Sequence, residues 1–345
     1  MLKNKKISSY FRWETFLIVL IILEIFIFGS INPRFLKPFV LLGSINDFFS
    51  ICVISLFVTF VLITGGMDIQ AGSIVGLSSI IVGVLWQQLG FNIWISCLFA
   101  IIGGGLAGLL SGFIVAYIDV QPMVVTLGGS FLYSGLAVSI TRMAKVESYK
   151  GISGFPKAFT AFSKYRLFGI IPSQIFIFIV LIIIAYFLLH KTRYGRYIYL
   201  SGINKEACEY SGIDSKKIIM STYVLSGMGA AIAGIVLTSY LGTAKADFGK
   251  ELTLPIITAV VLGGTSINGG KGSILGTAFA AILIGILKFG LSMAGVNTQY
   301  LDIPVGILLV VALALRGLND QGYFLIWKKN WRKRKLNRAE TKKVN

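Results

Sequence analysis

The residues that invite a chemical reading lie in two glycine-rich segments and one polar loop. The segment Gly263-Gly264-Thr265-Ser266-Ile267-Asn268-Gly269-Gly270-Lys271-Gly272-Ser273 has the look of a phosphate-binding loop. That chemistry needs Gly, four residues, then Gly-Lys-Ser/Thr, so that backbone amides cradle the phosphates and the lysine reaches them. Here Gly272 follows Lys271, and Thr265 stands where the first glycine belongs. The chain therefore binds no ATP by this route, and ATP chemistry falls to a partner. Cys52, Cys97 and Cys208 have no paired spacing, and no His/Cys/carboxylate grouping suggests a metal. No nucleophile motif stands out, so neither catalytic residues nor a cofactor are expected.

The first glycine segment runs Gly65-Gly66-Met67-Asp68-Ile69-Gln70-Ala71-Gly72-Ser73-Ile74-Val75-Gly76. Asp68 is the most informative charge in the chain. An unpaired carboxylate between two apolar runs is costly in lipid, which points to a pathway or helix-terminus role. A carboxylate just before a helical run can equally accept its first amides as a cap. Both readings can hold together. Lys288 sits in an apolar run and is expected to snorkel or pair. His190 closes another such run and is read as interfacial, and Glu24 is given no role.

The polar loop 191–217 is the long cytoplasmic loop on the topology below. Asn204 is an N-cap candidate, Lys205 to Ser211 have room for two short turns, and Gly212 is placed to end them as a left-handed glycine. A short, mostly polar helix bracketed by turn signals suits a groove on a soluble partner. An ordinary solvated loop is the plainer alternative.

The elements that must hold these residues are membrane spans. The chain has 345 residues, 55% apolar and 13% charged, with mean hydropathy +0.81. A soluble domain has no means of hiding so much apolar surface. Ten apolar segments can be drawn, near 14–30, 48–64, 72–89, 93–118, 123–141, 171–190, 218–241, 253–264, 274–294 and 301–316. Spans of about 20 residues must satisfy their own backbone, so these are helices. The third, eighth and tenth are the weakest, and the eighth reads as a broken or re-entrant helix. The expected fold is all-α and polytopic, with about ten transmembrane helices broken at the glycine segments.

An even count puts both termini on one side, and Lys3, Lys5, Lys6, Arg12 and a basic tail place that side in the cytoplasm. The expected division is a transmembrane domain over 1–320, including the loop 191–217, and a basic cytoplasmic tail over 321–345. The first span is read as uncleaved, because no small-residue cleavage site follows it. The outward loop 142–170 is awkward for this topology, with six basic residues against Glu147. The net charge of +18 is not a nucleic-acid signal, since nine of the 32 basic residues lie between Lys328 and Lys343, as a lipid-facing tail would have them. In the fourth segment Gly103, Gly104, Gly105, Gly108 and Gly112 give small-xxx-small spacing for close helix packing. The two glycine segments align as Gly-Gly-x-x-Ile-x and then Gly-Ser-Ile-x-Gly, an internal echo typical of transporters.

Over roughly 13–318 the chain resembles the ribose-type class of ABC-importer permeases. The glycine segments carry the likeness, with Val124-Val125-Thr126-Leu127-Gly128, Ser211-Gly212-Ile213 and Ala259-Val260-Val261-Leu262-Gly263-Gly264. Glu206-Ala207-Cys208 followed by Gly212 is similar to the Glu-Ala-Ala-x-x-x-Gly coupling signature of that class, with Cys for the second Ala. Within the class the likeness leans to the autoinducer-2 branch, on Ile31-Asn32-Pro33-Arg34, Gly154 to Phe162, Leu189-His190-Lys191-Thr192 and Met293-Ala294-Gly295-Val296. Pro255-Ile256-Ile257-Thr258-Ala259 departs from the Asp-Ala-Ile-Ala-Ala usual in ribose permeases.

The resemblance implies a channel shared with a second, related permease in a heterodimer, in the bacterial inner membrane. It also implies two ATP-binding subunits or domains beneath the channel and a periplasmic substrate-binding protein above it, with no nucleic acid. Asn204, Glu206, Ala207 and Gly212 would form the ATPase-coupling element. Asp68, Gln70, Thr126, Ser266 and Asn268, polar groups at the breaks, are the pathway candidates. Lys245, Asp247 and Lys250 are candidates for contact with the binding protein. The expected ligand is autoinducer-2. A permease for ribose or another simple sugar is the nearest alternative. An ion-coupled secondary transporter is the other, and the scarcity of carboxylates in the spans argues against it.

Overall fold

The computed structural model describes residues 3–145 and 151–320, with side chains from Trp13 to Lys145 and from Gly151 to Ala312. The basic tail 321–345 and Glu147 lie outside the described residues. Fourteen α-helices are described: α1 (Lys3–Ile31), α2 (Pro38–Gly43), α3 (Ile45–Ile63), α4 (Ala71–Gln87), α5 (Ile93–Tyr117), α6 (Pro122–Met143), α7 (Lys157–Lys164), α8 (Ser173–Lys191), α9 (Arg193–Ile203), α10 (Lys205–Tyr210), α11 (Ser215–Leu241), α12 (Thr253–Leu262), α13 (Ile274–Met293) and α14 (Asp302–Asp320). Seven are long and apolar enough to cross a membrane, in α1, α3, α5, α6, α8, α11 and α13. The three shorter apolar stretches, Ala71–Gln87, Thr253–Leu262 and Thr298–Ala312, match the segments that read weakest.

The loops gather at two ends. At one end Gly270 N–H donates to the Ile63 carbonyl (2.8 Å), and Lys205 pairs with Asp119 (3.1 Å). At the other, the two-residue strands β1 (Ile152–Ser153) and β4 (Thr243–Ala244) pair antiparallel, and β2 (Arg166–Leu167) pairs with β3 (Ile171–Pro172). Loops alternate between the ends along the chain, as successive spans require. The stretch between α6 and α8 is more ordered than a plain outward loop. Phe155 and Phe159 bury against the body, and the short helix α7 forms over eight residues.

α3 is the centre of the bundle, with 94% of its span buried, against 17% for α1. Thr59 and Thr277 bridge α3 to α13 by a buried hydrogen bond of 2.9 Å, which satisfies two hydroxyls away from water. The glycine stripe of α5 packs as its spacing predicts. A Cβ on Gly104 would lie 2.5 Å from the Gly227 carbonyl oxygen, and one on Gly112 would lie 2.8 Å from that of Met220. Only hydrogen fits there, so α5 and α11 touch backbone to backbone, the close approach that gives apolar helices their dispersion contact in lipid.

Candidate functional site

The first glycine segment ends α3 and turns into α4 inside the bundle. Gly65 takes φ +81°, a conformation that costs a side chain and not a glycine. Beyond it the chain is held by side chains from three other helices. The Asp68 carboxylate accepts from Ser226 Oγ of α11 (2.5 Å) and from the Gln70 N–H (3.1 Å). Gln70 Oε1 accepts from Ser111 Oγ of α5 (2.6 Å). Tyr223 OH of α11 donates to the Met67 carbonyl (3.3 Å), and Thr126 Oγ1 of α6 reaches the same oxygen at 3.3 Å. Asp68, Gln70 and Thr126 are all buried. The carboxylate thus holds the turn that leads into α4, two residues ahead of Gln70 at the helix's N-cap position. Gly129 leaves room for Gln70, since a Cβ there would collide with Oε1. Gln70 Nε2 is buried without a hydrogen-bond partner.

Ser266 and Asn268 do not join this node. They belong to a turn in which Ser266 N–H donates to the Lys271 carbonyl (2.8 Å), with Ser266 buried and Asn268 exposed. Gly269 and Gly270 take successive left-handed conformations, φ +81° and +72°. That turn rests on the end of α3, where a Cβ on Gly269 would lie 2.9 Å from Gly65 N. It also rests on α9, through Tyr199 OH to the Gly272 carbonyl (2.8 Å).

α9 leads into the polar helix α10, and the local capping rules account for α10 at both ends. Asn204 Oδ1 accepts from Ala207 N–H (2.9 Å). At the far end Ile213 N–H reaches the Cys208 carbonyl and Gly212 N–H the Glu209 carbonyl, both at 3.0 Å, with Gly212 at φ +76°. This paired arrangement on a left-handed glycine is the Schellman closure. Cys208 faces inward, and burial raises its thiol pKa. Glu206, Ala207, Gly212 and Asn204 are exposed, and Tyr210 beside them is 92% exposed. The element is tied to the body by Lys205–Asp119 and by Ser215 Oγ to Glu209 (2.6 Å). Asp214 caps α11 and accepts from Lys217, which holds its carboxyl below the usual range.

Of the other polar candidates, Lys288 pairs with Asp302 at 2.9 Å. The segment carrying Lys245, Asp247 and Lys250 lies along α4, where a Cβ on Gly76 would meet the Ala246 carbonyl. Ser111, Ser226 and Tyr223 were not singled out from sequence. Their only signal there is that each is a polar group inside an apolar run.

Seven apolar helices long enough to cross a membrane fit a multi-pass membrane protein. Residues 40–313 match the family described as branched-chain amino acid transport system / permease component, and the chain belongs to that family. Such a permease works with ATP-binding and substrate-binding partners. Similar proteins include the autoinducer 2 import system permease protein LsrD of Klebsiella pneumoniae, 41% identical over 89% of this chain and 92% of its own. LsrD of Salmonella typhimurium is 41% identical over 90% and 92%, and LsrD of Escherichia coli 40% over 90% and 93%. No solved structure matches the chain.

Proposed function

We propose that this chain is one half of the membrane channel of an ATP-binding-cassette importer that carries autoinducer-2 across the bacterial inner membrane. The observation that carries the mechanism is α10, a short exposed helix closed at both ends and tied to the bundle. The ligand rests on relatives of that name matched over nine-tenths of both chains. The other half is a second, related permease in a heterodimer. Two ATP-binding subunits dock at the α10 end, and a periplasmic binding protein delivers ligand at the other. Ten spans, with both termini in the cytoplasm, agree with the alternation of loops between the two ends.

Glu206 and Ala207 form the docking face, with Asn204 and Gly212 holding its shape. A contiguous chain of contacts then runs inward. It passes from α9 through Tyr199 to Gly272, across the Gly269–Gly270 turn to Ile63 and Gly65, and so to Asp68. Closure of the ATPases moves the α10 end, and the break at Asp68, Gln70 and Thr126 is the element placed to respond. Ser266 and Asn268 relay that movement as well as bordering the path. In the assembled importer, Gly212→Pro removes the N–H that closes α10, so ligand-driven ATP hydrolysis should fall while the permease still reaches the membrane. Uptake and ATPase assembly unchanged in that variant would sink the docking role.

A further inference from the structure

At the end opposite α10 a cavity of about 470 Å³ opens between the start of α3, the end of α7, the β2–β3 hairpin and the end of α11. Lys164 and Arg166 supply its charge, and no carboxylate lines it. Asn46 contributes a carboxamide to the wall. That residue is only 8% exposed, and its Oδ1 has no hydrogen-bond partner. Tyr240 adds a phenol to the same wall.

The surroundings say what kind of molecule arrives. Phe39, Phe162, Tyr165, Phe168, Ile170 and Ile171 are all exposed on this end. The Arg166 guanidinium lies 3.8 Å over the Phe39 ring and donates to the Ile170 carbonyl (3.4 Å), which holds it among those apolar groups. Aromatic and basic residues mixed at the ends of spans are the signature of the headgroup layer. Here they surround a cavity with two cations. We propose that this cavity is a headgroup site for an anionic phospholipid of the phosphatidylglycerol type. Lys164 and Arg166 hold its phosphate.

A soluble glycerol phosphate offers the same polar chemistry, and the apolar rim favours the lipid. The test uses the permease purified with its partner subunits from mixed phosphatidylethanolamine and phosphatidylglycerol membranes, with retained lipid quantified by mass spectrometry. Lys164→Gln and Arg166→Gln should each lower retained phosphatidylglycerol about fivefold, at roughly 1 kcal/mol per interfacial cation. Arg166→Lys should keep it, and Lys157→Gln, on the same helix but outside the cavity, should leave it unchanged. Equal retention in wild type, Lys164→Gln and Arg166→Gln overturns the proposal. So does displacement of the lipid by glycerol phosphate at equal concentration, which would assign the site to a soluble phosphate.

Discussion

Replacing Gly108 with alanine tests whether the α5–α11 contact holds the Asp68 node. A Cβ at this position would lie 2.7 Å from the Tyr223 carbonyl carbon and nearer still to its oxygen, with the Val224 Cα at 3.0 Å. At the carbonyl carbon alone this is about 0.7 Å inside ordinary contact. Every atom it meets is backbone, so no rotamer change relieves it and the two helices must part. Overpacking of this kind costs about 1–3 kcal/mol. The cost falls where it matters, because Tyr223 and Ser226 of the displaced helix hold Met67 and Asp68. Gly108→Ala should lower the thermal inactivation midpoint of the assembled permease and cut transport. Gly128→Ala is the control, since a Cβ there meets nothing within 4 Å. Equal stability and transport in the two variants would refute the reasoning.

Ser226→Ala leaves the buried Asp68 carboxylate one donor short and should cost about 1.5–3 kcal/mol in stability, read as earlier thermal inactivation, with Ser226→Thr milder. Asn204→Ala removes the α10 cap and should cost that helix about 1 kcal/mol, seen as faster amide exchange over 205–211 and weaker association with the ATPases. Gly129→Ala pushes on Gln70 and should impair transport more than Gly135→Ala, whose Cβ meets open space. The Asp214 cap has a lowered pKa, so its contribution is full above the ordinary carboxylate value of about 3.9 and is lost as pH falls through the lower folded value. Amide exchange at Ser215–Lys217 should therefore rise only in acid, and Asp214→Asn should flatten that response.

The seven long spans were legible because long apolar runs leave the chain no other way to satisfy its backbone in lipid. The α10 element was legible because capping is local: Asn204 and Gly212 act within a few residues of themselves. The partners of Asp68 were not, because Ser226 lies 158 residues away and nothing in a lone serine names its neighbour. The echo between the glycine segments aligns Asp68 with Ser266 and Gln70 with Asn268. The second segment has two further residues, and it spends them on the Gly269–Gly270 turn that docks against Ile63. Its polar groups therefore sit apart from the node. The strands within 151–172 were hidden for another reason, since two residues each are too few to impose a period on the sequence.

The most direct test of the central claim is ATP hydrolysis by the reconstituted complex of this chain with its partner permease, ATPase subunits and binding protein, measured with ligand-loaded binding protein. Autoinducer-2 should raise the rate, and ribose should not. Stimulation by a pentose but not by autoinducer-2 would contradict the ligand, and transport without any ATPase subunit would contradict the importer itself.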